Sequence, residues 1–258
     1  MSKHVKIKPI ITTIDKQYQR ELDEPRARKM AESFTWDLFG VPVLSLRADG
    51  SYLQLDGQHR LKAAVMAGQG ETPVLCEVHE GLSPRQEAEL FLRLNGGRSA
   101  VRVYDKFRAR VVAKEPIAIQ ITATLKEQGL KVVKAQQKKG VCAIQAIEHT
   151  FHRGNLAATL QVLTEWADGD PSAYEGPLVK AVSAFLTEYP EVNLKDIANR
   201  LQNHAPNKVI AKLRQTIGGM DFKPDEAACI VLRDIYNERR KKSAQLPSLA
   251  AKHLKVAS

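Results

Sequence analysis

Five consecutive residues, Asp56-Gly57-Gln58-His59-Arg60, bring together a carboxylate, a glycine, an amide, an imidazole and a guanidinium. Glycine frees the backbone to turn and lets an anion approach it closely. The run Arg60-Leu61-Lys62-Ala63-Ala64-Val65-Met66 reads as the start of a helix, whose first N–H groups lack intrahelical acceptors and suit phosphate. Arg60 could hold two phosphate oxygens at once. His59 could donate to phosphate or work as a general acid or base near neutral pH. Asp56 could orient His59, bind a metal or accept a proton. Asp56 and His59 are therefore the candidate catalytic pair, and Gly57, Gln58, His59 and Arg60 the candidate phosphate ligands. Each also has a plain structural alternative. Arg60 could pair with Asp56, His59 could pack beside the turn, and Asp56 could cap it.

The elements that would position this turn are short strands alternating with helices over the first 110 residues. Segment 4–11 reads as an edge strand, with Val5, Ile7 and Ile10 on one face. Pro25 opens a helix to about Phe34, with Met30, Ala31 and Phe34 on its buried stripe. Strands at 41–46 and 52–55 flank an Asp49-Gly50 hairpin signal, and a further strand spans 72–78. Ser83-Pro84-Arg85-Gln86 has the pattern of a capping box, opening a helix that Asn95-Gly96-Gly97 ends. Beyond Val103 the apolar spacing becomes helical, with segments at 117–127, 143–152, 156–166, 177–188, 194–202, 207–217 and 224–240. Asp168-Gly169-Asp170-Pro171 and Gly218-Gly219 read as breaks between them. This predicts an α+β protein: a small mixed sheet with helices over 1–112, an all-α region over 113–242 and a loose tail over 243–258.

Composition narrows the function classes. At 43% hydrophobic and 26% charged residues, the chain reads as a globular protein and not a disordered one. No apolar run is long enough for a bilayer span and Met1-Ser2-Lys3-His4-Val5-Lys6 is no signal peptide, so a cytoplasmic location without membrane contact is expected. Cys76, Cys142 and Cys229 stand far apart and read as buried free thiols. A formal net charge of +10 favours polyanionic partners, DNA above all. The candidate nucleic-acid contacts are Lys131, Lys134, Lys138 and Lys139, then Lys208 and Lys212, then Arg239, Arg240, Lys241 and Lys242. Lys208 and Lys212 fall in the second half of a helix-turn-helix-like pattern over 194–213, which two bundle helices would equally produce. His149 and His152 could bracket a metal, but no third ligand accompanies them.

The order of three segments resembles the ParB/sulfiredoxin superfamily over about residues 5–112. Ile14-Asp15-Lys16-Gln17-Tyr18-Gln19-Arg20 resembles its early box, Leu55–Ala64 its phosphate-binding second box, and Leu94-Asn95-Gly96-Gly97-Arg98 its third. The Asp-Gly-Gln-His-Arg version is similar to ParB-like proteins of phages and to DGQHR proteins linked with DNA-modification operons, which implies a phage or mobile-element origin. The resemblance adds Gln19, Arg20, Asn95 and Arg98 to the expected nucleotide ligands. It implies a nucleoside triphosphate, CTP or ATP, with Mg2+ as its companion, and a homodimer is a further expectation. An acid of partition ParB proteins is here Gln58, and their metal-binding glutamate aligns with Leu94. The position of the sulfiredoxin cysteine is also Gln58, which excludes peroxiredoxin repair by that mechanism. The reading is thus a nucleotide- and DNA-associated ParB-like protein. The alternatives are an enzyme of that fold (nuclease, NTP hydrolase or phosphotransferase) and a non-enzymatic DNA-binding regulator.

Overall fold

Alternating apolar residues between turn formers give five strands in the first 80 residues, and these pair into one mixed sheet. The structure, a computed structural model, describes residues 2–96, 102–167, 169–220 and 222–249, without the side chains of 219 and 220. The chain divides into two compact units, Met1–Ile119 and Gln120–Ser258. In the first unit the strands are β1 (Ser2–Ile7), β2 (Thr12–Thr13), β3 (Val43–Leu46), β4 (Tyr52–Asp56) and β5 (Val74–Glu80). Their order across the sheet is β1-β5-β3-β4-β2. β3 runs antiparallel to β4 and parallel to β5, while β1 and β5 are antiparallel and β2 and β4 parallel. The Asp49-Gly50 hairpin forms as expected: Gly50 takes φ +83 and Asp49 accepts from the Ser51 amide at 2.9 Å.

Side-chain alternation gives this sheet two buried faces. Leu44 and Val78 pack on one face with Leu61 and Ala64 of helix α2 (Gln58–Met66). Val43 and Leu55 pack on the other with Phe91 of α3 (Pro84–Asn95) and Ala109 of α4 (Val103–Val112). Helix α1 (Glu24–Glu32) packs on α2. α3 opens with the expected capping box of Ser83 and Gln86. The division between the units falls within α5 (Pro116–Glu127).

The second unit is largely helical, as expected. It adds one two-stranded pair, β6 (Lys131–Val132) with β7 (Gly140–Val141), too short to leave an apolar pattern in the sequence. Its helices are α6 (Ile144–His152), α7 (Leu156–Ala167), α8 (Gly176–Glu188), α9 (Leu194–Leu201), α10 (Pro206–Met220) and α11 (Pro224–Asn237). α8 is its centre: Leu178, Val179, Val182 and Phe185 are fully buried, and α6, α7 and α11 pack around it.

Several local expectations need correction. The first strand stops at Ile7, because Pro9 lacks an N–H and begins a 3-10 turn (Pro9–Ile11) that leaves Ile10 exposed. On α1 the buried residue is Ala27, while Met30, Ala31 and Phe34 are only partly covered. Gly218-Gly219 falls in the last turn of α10, which ends at Met220, so the break before α11 comes just after the pair and not at it. Cys76 and Cys229 are buried as expected, but Cys142 is exposed. The segment after Ser243 is held at first: Asn237 exchanges hydrogen bonds with Leu246, and the Tyr189 hydroxyl donates to the Pro247 carbonyl at 2.9 Å.

Candidate functional site

β4 ends at Asp56 and Gly57 turns the chain at φ +92, a conformation other residues adopt only with strain. A Cβ at Gly57 would also lie 3.0 Å from Cβ of Pro42. Gly57 caps α2 without any side-chain hydrogen bond, and the first intrahelical bond runs from the Leu61 amide to the Gly57 carbonyl at 2.9 Å. The amides of Gln58, His59 and Arg60 therefore stand ahead of the helical ladder, at the positive end of the helix dipole.

Arg60 is engaged on both of its terminal nitrogens. Its Nη1 donates to the Phe39 carbonyl and its Nη2 lies 3.2 Å from Oδ2 of Asp56. Gly40, at φ +66, clears the way: a Cβ there would lie 2.5 Å from Nη1. The guanidinium thus joins the end of β4 to the loop before β3, with Gly40 and Gly57 on either side of it. Of the two readings open for Arg60, the geometry is that of the pair with Asp56.

The cation beside the start of α2 is Arg20. Its Nη2 is 3.3 Å from Nδ1 of His59, and the Asp23 amide points at Nε2 of the same ring, also at 3.3 Å. His59 is only 6% exposed, and its pKa falls to about 4 through burial and the charges of Arg20 and Arg26, against the opposing pull of Asp23. The imidazole is therefore neutral at physiological pH. Burial and Arg26 likewise lower the Arg20 pKa, while Asp105, Asp56 and Asp23 oppose them. Gln58 is 6% exposed; its Nε2 donates to the Arg20 carbonyl at 3.3 Å, and its Oε1 has no partner. A buried acceptor without a donor costs about 1–3 kcal/mol.

The segment carrying Arg20 is clamped in place. Gln19 donates to the Gln54 carbonyl and accepts from the Arg20 amide, both at 3.0 Å. It is a fastener here, not an exposed ligand. The Tyr18 hydroxyl donates to the fully buried Glu87 at 3.1 Å, and Arg47 bridges Glu87 and Asp15. Asn95 is buried and donates to the Phe91 carbonyl at 2.9 Å, while Arg98 lies outside the described residues.

Sequence reasoning missed Asp23, Arg26, Asp105 and the Tyr18–Glu87–Arg47 network. Asp23 had a legible signal, since Asp23-Glu24-Pro25 is a helix-start pattern and Asp23 does cap α1, accepting from the Arg26 amide at 3.1 Å. Glu87 had none: it reads as an ordinary charged residue in the first turn of α3. Asp56 is paired with Arg60, and among the described residues no group of three or more His, Cys, Asp or Glu could hold a metal. His149 and His152 are exposed on α6.

In the helical unit, Lys131, Lys134, Lys138 and Lys139 are exposed on β6 and the turn to β7, as are Lys208 and Lys212 on α10. Arg239, Lys241 and Lys242 are also exposed. Arg240 differs: it stacks 4.0 Å over the Tyr236 ring and pairs with Asp196, which ties the turn after α11 to α9. α9 packs mainly on α7 and α11, and α10 on α11 and α8. A groove of about 760 Å³ runs between α8 and α11, walled by Ala184, Cys229 and Ile230, and touches none of the candidate phosphate- or nucleic-acid-binding residues. Among the described residues no helix is long and apolar enough to cross a membrane.

No curated protein matches the sequence. Among solved structures, the C-terminally truncated chromosome-partitioning protein ParB from Caulobacter crescentus, complexed with CTP-gamma-S, is similar at 14% identity and a TM-score of 0.32. The alignment covers 91% of this chain and 98% of that one. A sequence model for a family of unknown function matches residues 14–239, most of the chain. The protein thus belongs to that family, DUF6551.

Proposed function

We propose that the N-terminal unit binds a phosphate-bearing small molecule, with a nucleotide as the class in view, at the first turn of α2. The observation that carries this reading is a convergence at one point: an uncapped helix start, the desolvated guanidinium of Arg20 and the buried, unpartnered Oε1 of Gln58. An anion would meet the amides and the guanidinium. A hydroxyl or amino group on the same ligand would meet Gln58, which supports a nucleotide over bare phosphate. The neutral imidazole of His59, and the engagement of Asp56 by Arg60, support capture over turnover. For the helical unit, contact with DNA is supported by the exposed lysines 208, 212, 241 and 242, and Arg240 is left out of that set.

The test is equilibrium binding of CTP, ATP, GTP and ADP to the full chain and to Arg20→Ala. At least one nucleotide is expected to bind, with affinity reduced about tenfold or more in the variant, the worth of one charged hydrogen-bonding group. Failure of all four to bind at millimolar concentration overturns the reading.

A further inference from the structure

His59 is a buried acceptor with two donors aimed at it. Arg20 Nη2 faces Nδ1 and the Asp23 amide faces Nε2, each at 3.3 Å. A neutral imidazole accepts at one ring nitrogen and carries a hydrogen on the other. Arg20 has no lone pair to offer, and neither has a backbone amide, so one of the two contacts sets N–H against N–H. Both contacts are longer than the usual 2.9–3.0 Å or so of N–H hydrogen bonds. Protonating the ring does not resolve this, because an imidazolium would face both donors with N–H groups. The charged groups around it are Arg20, Asp23 and Arg26 of α1, with Asp56 and with Asp105 of α4 facing Arg20. The two arginines beside the ring and its burial keep it neutral.

An anion at the start of α2 removes the conflict. If Arg20 turns from Nδ1 to the anion, His59 can adopt the tautomer with hydrogen on Nδ1. Nε2 then accepts from the Asp23 amide without competition, and Nδ1–H donates to the same anion. Every donor then has an acceptor, and no proton enters or leaves the site. We propose that His59 recognises the bound phosphate as a neutral Nδ1–H donor, a tautomer that the ligand selects by drawing Arg20 off the ring. This rests on the phosphate-binding reading above and adds which atom of His59 acts, in which form, and what releases it.

The experiment uses the full chain with inorganic pyrophosphate at pH 7.5. Nitrogen-15 histidine spectra of the wild type are recorded free and saturated, and dissociation constants are measured for wild type, His59→Asn and His59→Leu. Saturation is expected to convert His59 to a single Nδ1–H tautomer that stays neutral. His59→Asn, whose amide can supply a donor near the Nδ1 position, is expected to bind within about threefold of wild type. His59→Leu is expected to lose about ten- to hundredfold, as befits a hydrogen bond to a charged group. A His59 spectrum unmoved by saturating pyrophosphate overturns the proposal while leaving phosphate binding standing, and so does a His59→Leu protein of wild-type affinity. Wild-type protein that binds no pyrophosphate at millimolar concentration overturns the phosphate reading, and this proposal with it. The wild-type spectra decide the question even if His59→Leu does not fold.

Discussion

Replacing Arg60 by alanine should damage the fold more than the anion site, the reverse of what its sequence context suggests. The guanidinium side chain is 24% exposed and its partner Asp56 15%, so the pair sits between a surface bridge of about 0–1 kcal/mol and a buried one, whose breakage costs about 3–5 kcal/mol. A value near 1–2 kcal/mol suits that exposure. The hydrogen bond from a charged group to the Phe39 carbonyl adds roughly 1.5–3 kcal/mol, of which part returns when water reaches the carbonyl. Together Arg60→Ala should cost about 3 kcal/mol, or about 10 °C in Tm for a unit of this size.

Gly40 makes the estimate testable without reference to any ligand. Gly40→Ala places a methyl 2.5 Å from Arg60 Nη1 at a φ of +66. The backbone strain alone is worth about 1–2 kcal/mol, and evicting the guanidinium from the Phe39 carbonyl should bring the total to about 3 kcal/mol. In an Arg60→Ala background only the strain remains, so the two changes should be sub-additive by about 1 kcal/mol or more. Urea unfolding of wild type, both single variants and the double variant gives that coupling directly. Additive effects, or an Arg60→Ala protein of wild-type stability that binds no nucleotide, would refute the assignment of Arg60 to the fold.

Other outcomes follow from the same geometry. Glu87→Gln keeps the shape of a fully buried side chain but removes the charge facing Arg47, and should lower urea stability by about 2–4 kcal/mol; a change under about 0.5 kcal/mol would contradict the network. His59 binds fewer protons folded than unfolded between its native pKa of about 4 and its ordinary value of 6.5. Its contribution is therefore complete above 6.5 and lost as pH falls through 4, so the urea midpoint should drop between pH 6 and 4 and drop less in His59→Asn. Fluorescence anisotropy with duplex DNA should show affinity falling with salt, and a shallower salt slope in a Lys208→Ala/Lys241→Ala variant. Arg240→Ala, which unstacks Tyr236 and frees Asp196, should lower stability, with its DNA salt slope left near that of wild type.

The local features were legible because each is settled within a few residues. Ser83 to Gln86 makes a capping box, Asp49-Gly50 makes a hairpin, and Gly57 begins α2. The helical second unit was legible for a similar reason, since three- and four-residue spacing survives along each helix. What escaped depends on residues far apart in the chain. Nothing near Arg60 announces that Gly40 opens a slot for its guanidinium twenty residues away, or that Phe39 supplies the acceptor. Nothing in the first turn of α3 sets Glu87 apart from Glu89, yet one is sealed under Tyr18 and Arg47 and the other pairs with Arg85 near the surface.

The same dependence on distant residues separates the two arginines near the turn. A motif fixes which chemical groups occur and where the backbone turns, and here it fixed the uncapped start of α2. It does not fix which contacts each of the two nearby arginines makes, because those depend on residues far away in the chain. Asp56 and the Phe39 carbonyl take Arg60. Gln19, Tyr18 and Asp15 anchor the 15–20 segment and leave Arg20 beside an imidazole that cannot accept from both of its neighbours. An imidazole that cannot accept from both of its donors is what a ligand could improve, and on that ground Arg20 and His59 are the partners we propose for the anion.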